Sequence, residues 1–185
     1  MYWKQQLKEL EDLQKWDDAI ALMQHVVQDN PNNSETFIFL NFLLMNLLAV
    51  EDYNIQKHDY YARLLKESFV ESYAKFSHDA AYLFYTAKTA SMSSWYLDVD
   101  TDFVNKMLET AALLDPENMV YQWPYYVSVA KKNPQNKDLL LYIQNIFEEH
   151  SSIQQELKNK GKMGAYILNM MQYWAKHVIS GTYTP

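Results

Sequence analysis

The chain has 185 residues, a formal net charge of −7 at pH 7 and no cysteine. The lack of cysteine excludes disulfide bonds, thiolate catalysis and cysteine-based zinc sites, and the acidic balance disfavours the binding of nucleic-acid phosphates. With only 3 glycines and 5 prolines, the composition favours one all-α domain of helices joined by short polar loops over long sheets with tight turns.

The N-terminal segment predicts two helices folded back on each other. Residues 2–13 place Trp3, Leu7 and Leu10 at three- and four-residue spacing, which is one apolar stripe on a helix. A second apolar stripe follows, and Pro31 ends it, because the residue before a proline is pushed out of the helical region. The two stripes are expected to pack against each other as an antiparallel hairpin.

The third helix is expected over residues 35–49, with Ser34 as its N-cap. It is apolar nearly all round, and a helix of this kind is covered on both sides. We therefore expect it at the centre of the fold. Residues 51–59 are polar and predict a loop, and the apolar pattern of residues 60–75 predicts a fourth helix.

The middle of the chain predicts two more helices. The fifth is expected to begin after Ser77 or Asp79, either of which can act as its N-cap, and to run to about residue 92. An acidic loop at residues 98–102 leads into the sixth helix. Pro116 marks the end of that helix in the same way as Pro31 marks the end of the second.

Residues 118–131 predict an aromatic helix in which Pro124 either causes a kink or lies in the first turn. Beyond it the sequence predicts a loop at residues 131–136, a helix at 139–147, a break near 151–157, a hinge at 158–162, a last helix at 163–179 and a flexible tail at 180–185. The chain is therefore expected to form one helical domain, residues 1–179, of about eight or nine helices stacked as antiparallel hairpins.

Trp3, Ala19 and Pro31 follow one another at the spacing of a tetratricopeptide repeat, whose period is about 34 residues. In this family a large residue opens helix A, a small residue lies early in helix B and a proline ends helix B. The segment from Trp3 to Pro31 resembles one such repeat, and residues 103–116 resemble a second helix B. The resemblance implies a superhelix of stacked helical hairpins.

The repeat pattern becomes less regular along the chain. Pro31 and Pro116 lie farther apart than two intervening repeats of about 34 residues allow. Insertions are therefore expected near residues 51–59 and 94–102. The alternative interpretation is a non-repetitive helical bundle with chance matches to the repeat pattern.

In the repeat family, side chains of the A helices line a concave groove that binds a protein or peptide. Carried over by position, the resemblance implies a groove lined by Lys4, Lys8, Glu11, Ile38, Phe42, Met45, Gln122 and Tyr126. Burial in the core is the alternative for the three apolar residues of the third helix. The 15 tyrosines suit either half-buried grooves or the edges of a thin core.

The acidic charge is compatible with a cationic protein or peptide partner. Three roles are consistent with a small acidic helical protein of this kind: a neutralising, immunity-type protein that caps a toxin, a chaperone of a secretion system, and an adaptor. The oligomeric state is open.

Catalytic motifs are missing from the sequence. None of the 5 histidines stands in a His-Glu-x-x-His pattern, and the 3 glycines form neither a phosphate-binding loop nor a Gly-x-Ser-x-Gly turn. The sequence therefore predicts a protein that is not an enzyme and has no metal or cofactor. The alternative is an all-helical enzyme or a small-ligand-binding protein with an aromatic-lined pocket, because catalytic groups can also assemble in space.

The longest apolar stretch, residues 37–50, is interrupted by Asn41 and Asn46 and is too short for a membrane span. The N-terminal residues lack the basic segment and apolar core of a signal peptide. We therefore expect a cytoplasmic protein with no membrane partner.

Overall fold

The computed structural model describes residues 2–132, 138, 141–142, 145–146 and 151–179. Over these residues the chain forms nine α-helices and no strand, which confirms the predicted all-α class. The helices are α1 (Tyr2–Asp12), α2 (Trp16–Asp29), α3 (Ser34–Ala49), α4 (His58–Phe76), α5 (Ala80–Ala90), α6 (Thr101–Leu114), α7 (Met119–Lys132), α8 (Ser151–Lys158) and α9 (Gly161–Ile179). Short 3-10 turns, Ile55–Lys57 and Ser94–Leu97, precede α4 and α6.

Contacts divide the chain into two compact units, Met1–Leu114 and Asp115–Pro185. The division falls at Asp115, where the sequence predicted the end of the sixth helix. The single domain predicted over residues 1–179 stays a prediction. The predicted tail at 180–185 and most of the predicted helix at 139–147 lie outside the described residues.

The centre of the first unit is α3, as its sequence predicts. This helix packs against α2, α4 and α5, while α1 packs on α2 and α6 packs on α5. Its side chains are buried on every face from Thr36 to Leu48. Burial of this kind is favourable by about 25 cal/mol per Å² of apolar surface, so α3 provides much of the unit's hydrophobic stabilisation.

One asparagine and one aspartate side chain fix the starts of α3 and α5. Asn33 caps α3, because its Oδ1 accepts a hydrogen bond of 3.0 Å from the backbone N–H of Glu35. The predicted cap, Ser34, is instead the first helical residue, and its hydroxyl donates to Asp79 Oδ2 at 2.6 Å. Asp79, one of the two predicted caps, caps α5, with Oδ1 accepting from the Tyr82 N–H at 3.0 Å. One carboxylate therefore joins the N-termini of two helices.

A buried polar chain links α3, α4 and α5. Asn41 Nδ2 donates to Ser72 Oγ at 3.2 Å, and Ser72 Oγ donates in turn to the Ser68 carbonyl at 2.7 Å. The Tyr82 hydroxyl lies 2.7 Å from Ser72 Oγ and is the donor of that pair, since the serine proton is already committed. Burial raises the pKa of Tyr82 and keeps its phenol protonated. Pairing these polar groups fixes the register of the three helices.

The second unit contains α7, α8 and α9, and α9 packs on both of the others. Of the two placements predicted for Pro124, the structure shows the helix interior, beyond the first turn of α7. The connection from α8 to α9 is tight. A Cβ atom on Gly164 would lie 1.6 Å from the Leu157 carbonyl oxygen, and Gly161 has a φ of +60°. Both positions therefore favour glycine.

None of the helices that the structure describes is long and apolar enough to cross a bilayer.

Candidate functional site

Lys4, the first of the predicted groove residues, joins α1 to α3. Its Nζ lies 2.6 Å from Glu35 Oε1. The same ammonium lies 5.4 Å from the centre of the Trp3 ring and 5.2 Å from that of the Phe39 ring. These two rings meet edge to face at 5.2 Å. Lys4 therefore holds the first hairpin against α3, whatever it also offers to a partner.

The other two predicted residues of α1 differ in exposure. Lys8 is mostly exposed and pairs with Asp12 one turn later at 2.6 Å. The hydrogen bond and charge of Asp12 raise the pKa of Lys8, which therefore stays cationic at physiological pH. Glu11 is buried in the first unit. Of the two, only Lys8 lies on the surface where a partner could contact it.

The three predicted residues of α3 lie in the core. Ile38, Phe42 and Met45 are between 0% and 4% exposed. Burial, the alternative interpretation of these residues, therefore describes them, and the groove interpretation is corrected for α3. The apolar character of this helix on all sides is the cause, because no face of it is left for solvent.

Gln122 and Tyr126, the predicted residues of the aromatic helix, line one pocket in the second unit. The pocket is open to solvent and has a volume of about 460 Å³. This volume lies within the range of small-ligand sites and accommodates a large side chain. Its walls are formed by Pro116, Glu117, Met119, Gln122, Tyr126, Asp138, Leu141, Tyr142 and Asn145.

We call this cavity the α7 pocket. Two stacked tyrosines form part of its lining. The rings of Tyr126 and Tyr142 lie 3.8 Å apart between centroids, with an angle of 19° between their planes. Trp123 packs 5.9 Å from Tyr142. Tyr142 is 6% exposed, and its hydroxyl has no hydrogen-bond partner among the described residues. Burial raises the pKa of this hydroxyl, which leaves a neutral phenol in the wall of the pocket.

The charged side chains in the described lining of the α7 pocket are all acidic. Glu117 and Asp138 contribute two carboxylates, and its described lining contains no lysine, arginine or histidine. Ring faces, side-chain amides and carboxylates hold polar or cationic groups and repel anions. Over the described ranges no three histidine, aspartate or glutamate side chains converge in a way that could hold a metal ion.

The first unit carries an aromatic cluster that sequence reasoning missed. Tyr53 lies in the loop before the 3-10 turn Ile55–Lys57, His58, Tyr60 and Tyr61 lie in the first turn of α4, and Trp95 and Tyr96 lie in the 3-10 turn before α6. The sequence predicted a loop at residues 51–59, the start of the fourth helix at Tyr60 and Tyr61, and an insertion at residues 94–102. The available signal was the density of rings at positions 53–61 and 95–96, but their contact depends on the tertiary fold.

Hydrogen bonds fix this cluster from within. The Tyr53 hydroxyl lies 2.5 Å from His58 Nδ1. The Tyr61 hydroxyl donates to Asp17 Oδ1 at 2.7 Å, and Lys57 forms an ion pair with the same carboxylate. Hydrogen bonds from Lys57 and Tyr61 lower the pKa of Asp17, while burial raises the pKa of Tyr61. The start of α4 is thereby tied to the start of α2.

Comparisons with family models, curated proteins and solved structures find no match to this chain. The resemblance of residues 3–31 to a tetratricopeptide repeat therefore stays a resemblance, and the repeat assignment stays a prediction.

Proposed function

We propose that this protein binds a protein or peptide partner, and that the α7 pocket receives a side chain of that partner. The observation that carries the proposal is the pocket itself. Gln122 and Tyr126, which the repeat resemblance implied as partner contacts, line a single open cavity of about 460 Å³. The sequence pattern and the cavity are independent arguments for the same surface.

The stacked rings support binding by preorganisation. Tyr142 is buried, and its ring face holds Tyr126 at a centroid distance of 3.8 Å. A ring that is already fixed loses little conformational entropy when a partner packs on it. Tyrosines in such settings are frequent hot spots of protein interfaces. We therefore assign Tyr126 as the main anchor and Gln122 as a hydrogen-bonding group beside it.

The helix packing supports a stacked-hairpin protein of the interaction type. In the first unit α1 packs on α2, α3 on α4 and α5 on α6, and α3 also packs on α5. Consecutive hairpins in contact are the arrangement that builds extended binding surfaces in helical repeats. Together with the net charge of −7, this suits a neutralising or chaperone-like protein with a cationic partner.

A small-ligand-binding or enzymatic function is the second candidate, and one observation favours it. The buried Tyr142 hydroxyl lacks a hydrogen-bond partner among the described residues, and a small molecule in the α7 pocket could supply one. An unsatisfied buried hydroxyl costs about 1–3 kcal/mol, so a ligand that satisfied it would gain affinity.

A pair of experiments separates the two candidates. Affinity purification from the native host, compared between the wild type and Tyr126→Ala, tests partner binding. A thermal-shift screen with metabolites tests ligand binding, since a ligand of the folded state raises its melting temperature. We expect a co-purifying protein that Tyr126→Ala loses. A metabolite-dependent rise in melting temperature without a protein partner would favour the second candidate.

A further inference from the structure

Six aromatic rings form a continuous chain on the first unit, in the order Tyr60, Tyr61, Tyr53, His58, Tyr96 and Trp95. Each neighbouring pair has its ring centroids between 5.6 and 6.2 Å apart. The middle of the chain is buried or half-buried, but its two ends reach solvent. Tyr60 is 44% exposed and Trp95 is 68% exposed. We call this surface the six-ring chain.

The inner rings of the six-ring chain are a rigid support for the exposed rings at its two ends. The Tyr53–His58 and Tyr61–Asp17 hydrogen bonds hold its middle. Trp16 Nε1 also donates to the Asp52 carbonyl at 3.2 Å, which fixes the backbone next to Tyr53. An exposed tryptophan that is backed by fixed rings costs little entropy on binding and adds a large contact area.

Among the charged side chains around the six-ring chain, carboxylates outnumber cations. The cations Lys57 and Lys66 form ion pairs with Asp17 and Asp98. Arg63 lies 4.0 Å from Glu67. Each of these three cations is therefore matched by an acidic side chain.

Two unmatched carboxylates neighbour ring residues in the sequence. Asp52 precedes Tyr53 in the sequence, and Asp59 precedes Tyr60. Both are exposed, and neither forms an ion pair with another described residue. A surface with this balance attracts cations.

The structure also contains an internal example of the contact that such a cation would make. The Arg63 guanidinium lies 6.0 Å from the centre of the Tyr60 ring. A guanidinium over a tyrosine or tryptophan face is held by the ring quadrupole, and Trp95 offers the stronger face of the two.

We propose that the six-ring chain docks a basic segment of a protein partner. Arginine side chains of that segment stack on the exposed Trp95 ring and pair with Asp52 and Asp59. The six-ring chain shares no residue with the α7 pocket, so its test is independent of the function proposed for that pocket.

The test is the affinity of the full chain for a fluorescein-labelled, arginine-rich peptide, measured by anisotropy. The same peptide with glutamine at each arginine position is the probe control. The variants are Trp95→Ala and the double variant Asp52→Asn, Asp59→Asn. Their matched controls are Tyr2→Ala, an exposed aromatic side chain of α1, and the double variant Glu9→Gln, Glu109→Gln, which has the same net charge. Thermal unfolding of every variant verifies the fold.

We expect Trp95→Ala to weaken binding of the arginine peptide by about fivefold, while Tyr2→Ala leaves it unchanged. The aspartate pair should weaken it more than the glutamate pair. The proposal is overturned if the wild type does not prefer the arginine peptide, if Trp95→Ala binds like Tyr2→Ala, or if both acidic pairs act equally, which would indicate non-specific attraction. If Trp95→Ala does not fold, Trp95→Leu, which keeps the apolar contact and removes the ring face, gives the same comparison.

Discussion

The ring of Tyr126 lies flat against the ring of Tyr142, with 3.8 Å between the centroids and 19° between the planes. Tyr142 is buried and Tyr126 is half-buried, so the inner ring supports the outer one from below. A contact between two aromatic rings contributes about 0.5–1.5 kcal/mol beyond the burial of the rings. The pair makes α7 part of a rigid pocket wall, and this rigidity is the basis of the proposed partner binding.

Tyr142→Phe should leave the stability of the protein unchanged or raise it by about 1 kcal/mol, because the hydroxyl it removes is buried without a partner among the described residues. The free energy of unfolding from urea titration measures this effect. A loss of more than about 1 kcal/mol would mean that the hydroxyl is hydrogen-bonded in solution. If a small ligand occupies the pocket, the same variant should weaken ligand binding.

Tyr82→Phe should destabilise the first unit by about 1 kcal/mol, because it removes the donor to Ser72 Oγ from the buried polar chain. Tyr60→Phe is the matched control, since Tyr60 is an exposed tyrosine of α4. Chemical denaturation of the two variants beside the wild type gives the comparison. Equal stability of the two variants would show that the polar chain adds nothing to the packing of α3, α4 and α5.

The pH dependence of stability should include a contribution from Asp17. Hydrogen bonds from Lys57 and Tyr61 lower its pKa below the ordinary value of 3.8. A carboxyl group whose pKa is lower in the folded chain stabilises the fold above the unfolded pKa, and the effect is lost as the pH falls through the folded pKa.

The stability difference between the wild type and Asp17→Asn should therefore shrink between neutral pH and a pH below 3.8. Asp18→Asn, one residue along the same helix, is the control. Since Asp17 is largely exposed, the difference is expected to be small and to decrease with salt. A difference that stays constant with pH would show that folding does not change the pKa of Asp17.

Gly164→Ala should destabilise the second unit by about 1–3 kcal/mol, as overpacking of a tight contact does. The new Cβ would lie 1.6 Å from the Leu157 carbonyl oxygen, so the backbones of α8 and α9 would have to separate. Asn169→Ala, at an exposed position of α9, is the control. Thermal unfolding with a probe in the second unit measures the shift. Unchanged stability would indicate that the two helices pack less closely in solution.

Much of the helix layout followed from the sequence because local signals determine it. Pro31 and Pro116 predicted helix ends that the structure places at Asp29 and Leu114, and Asp79 was one of the two predicted caps of α5. The cap of α3 was missed by one residue. Asn33 and Ser34 are both good N-caps, and the tertiary hydrogen bond from Ser34 to Asp79 decides between them.

The functional surfaces were harder to predict because they depend on contacts between distant residues. A helix that is apolar on every side, such as α3, has no periodicity to tell a core face from a groove face. Ile38 and Phe42 were therefore ambiguous in sequence and lie in the core. Trp95 and Tyr60 become the two ends of the six-ring chain only when α4 packs against the 3-10 turn Ser94–Leu97. Single-sequence patterns carry no signal for this packing.

The assignment of Tyr126 as the main anchor is tested by the affinity of the protein for the partner that co-purifies with it. Tyr126→Ala is compared with Tyr125→Ala, a neighbouring exposed tyrosine of α7 that does not line the α7 pocket. Titration calorimetry with both purified proteins gives the dissociation constants, and circular dichroism verifies the helices. We predict that Tyr126→Ala weakens binding about tenfold or more, as hot-spot truncation does, and that Tyr125→Ala binds like the wild type. Wild-type affinity in a folded Tyr126→Ala protein would show that Tyr126 is not an anchor for the partner.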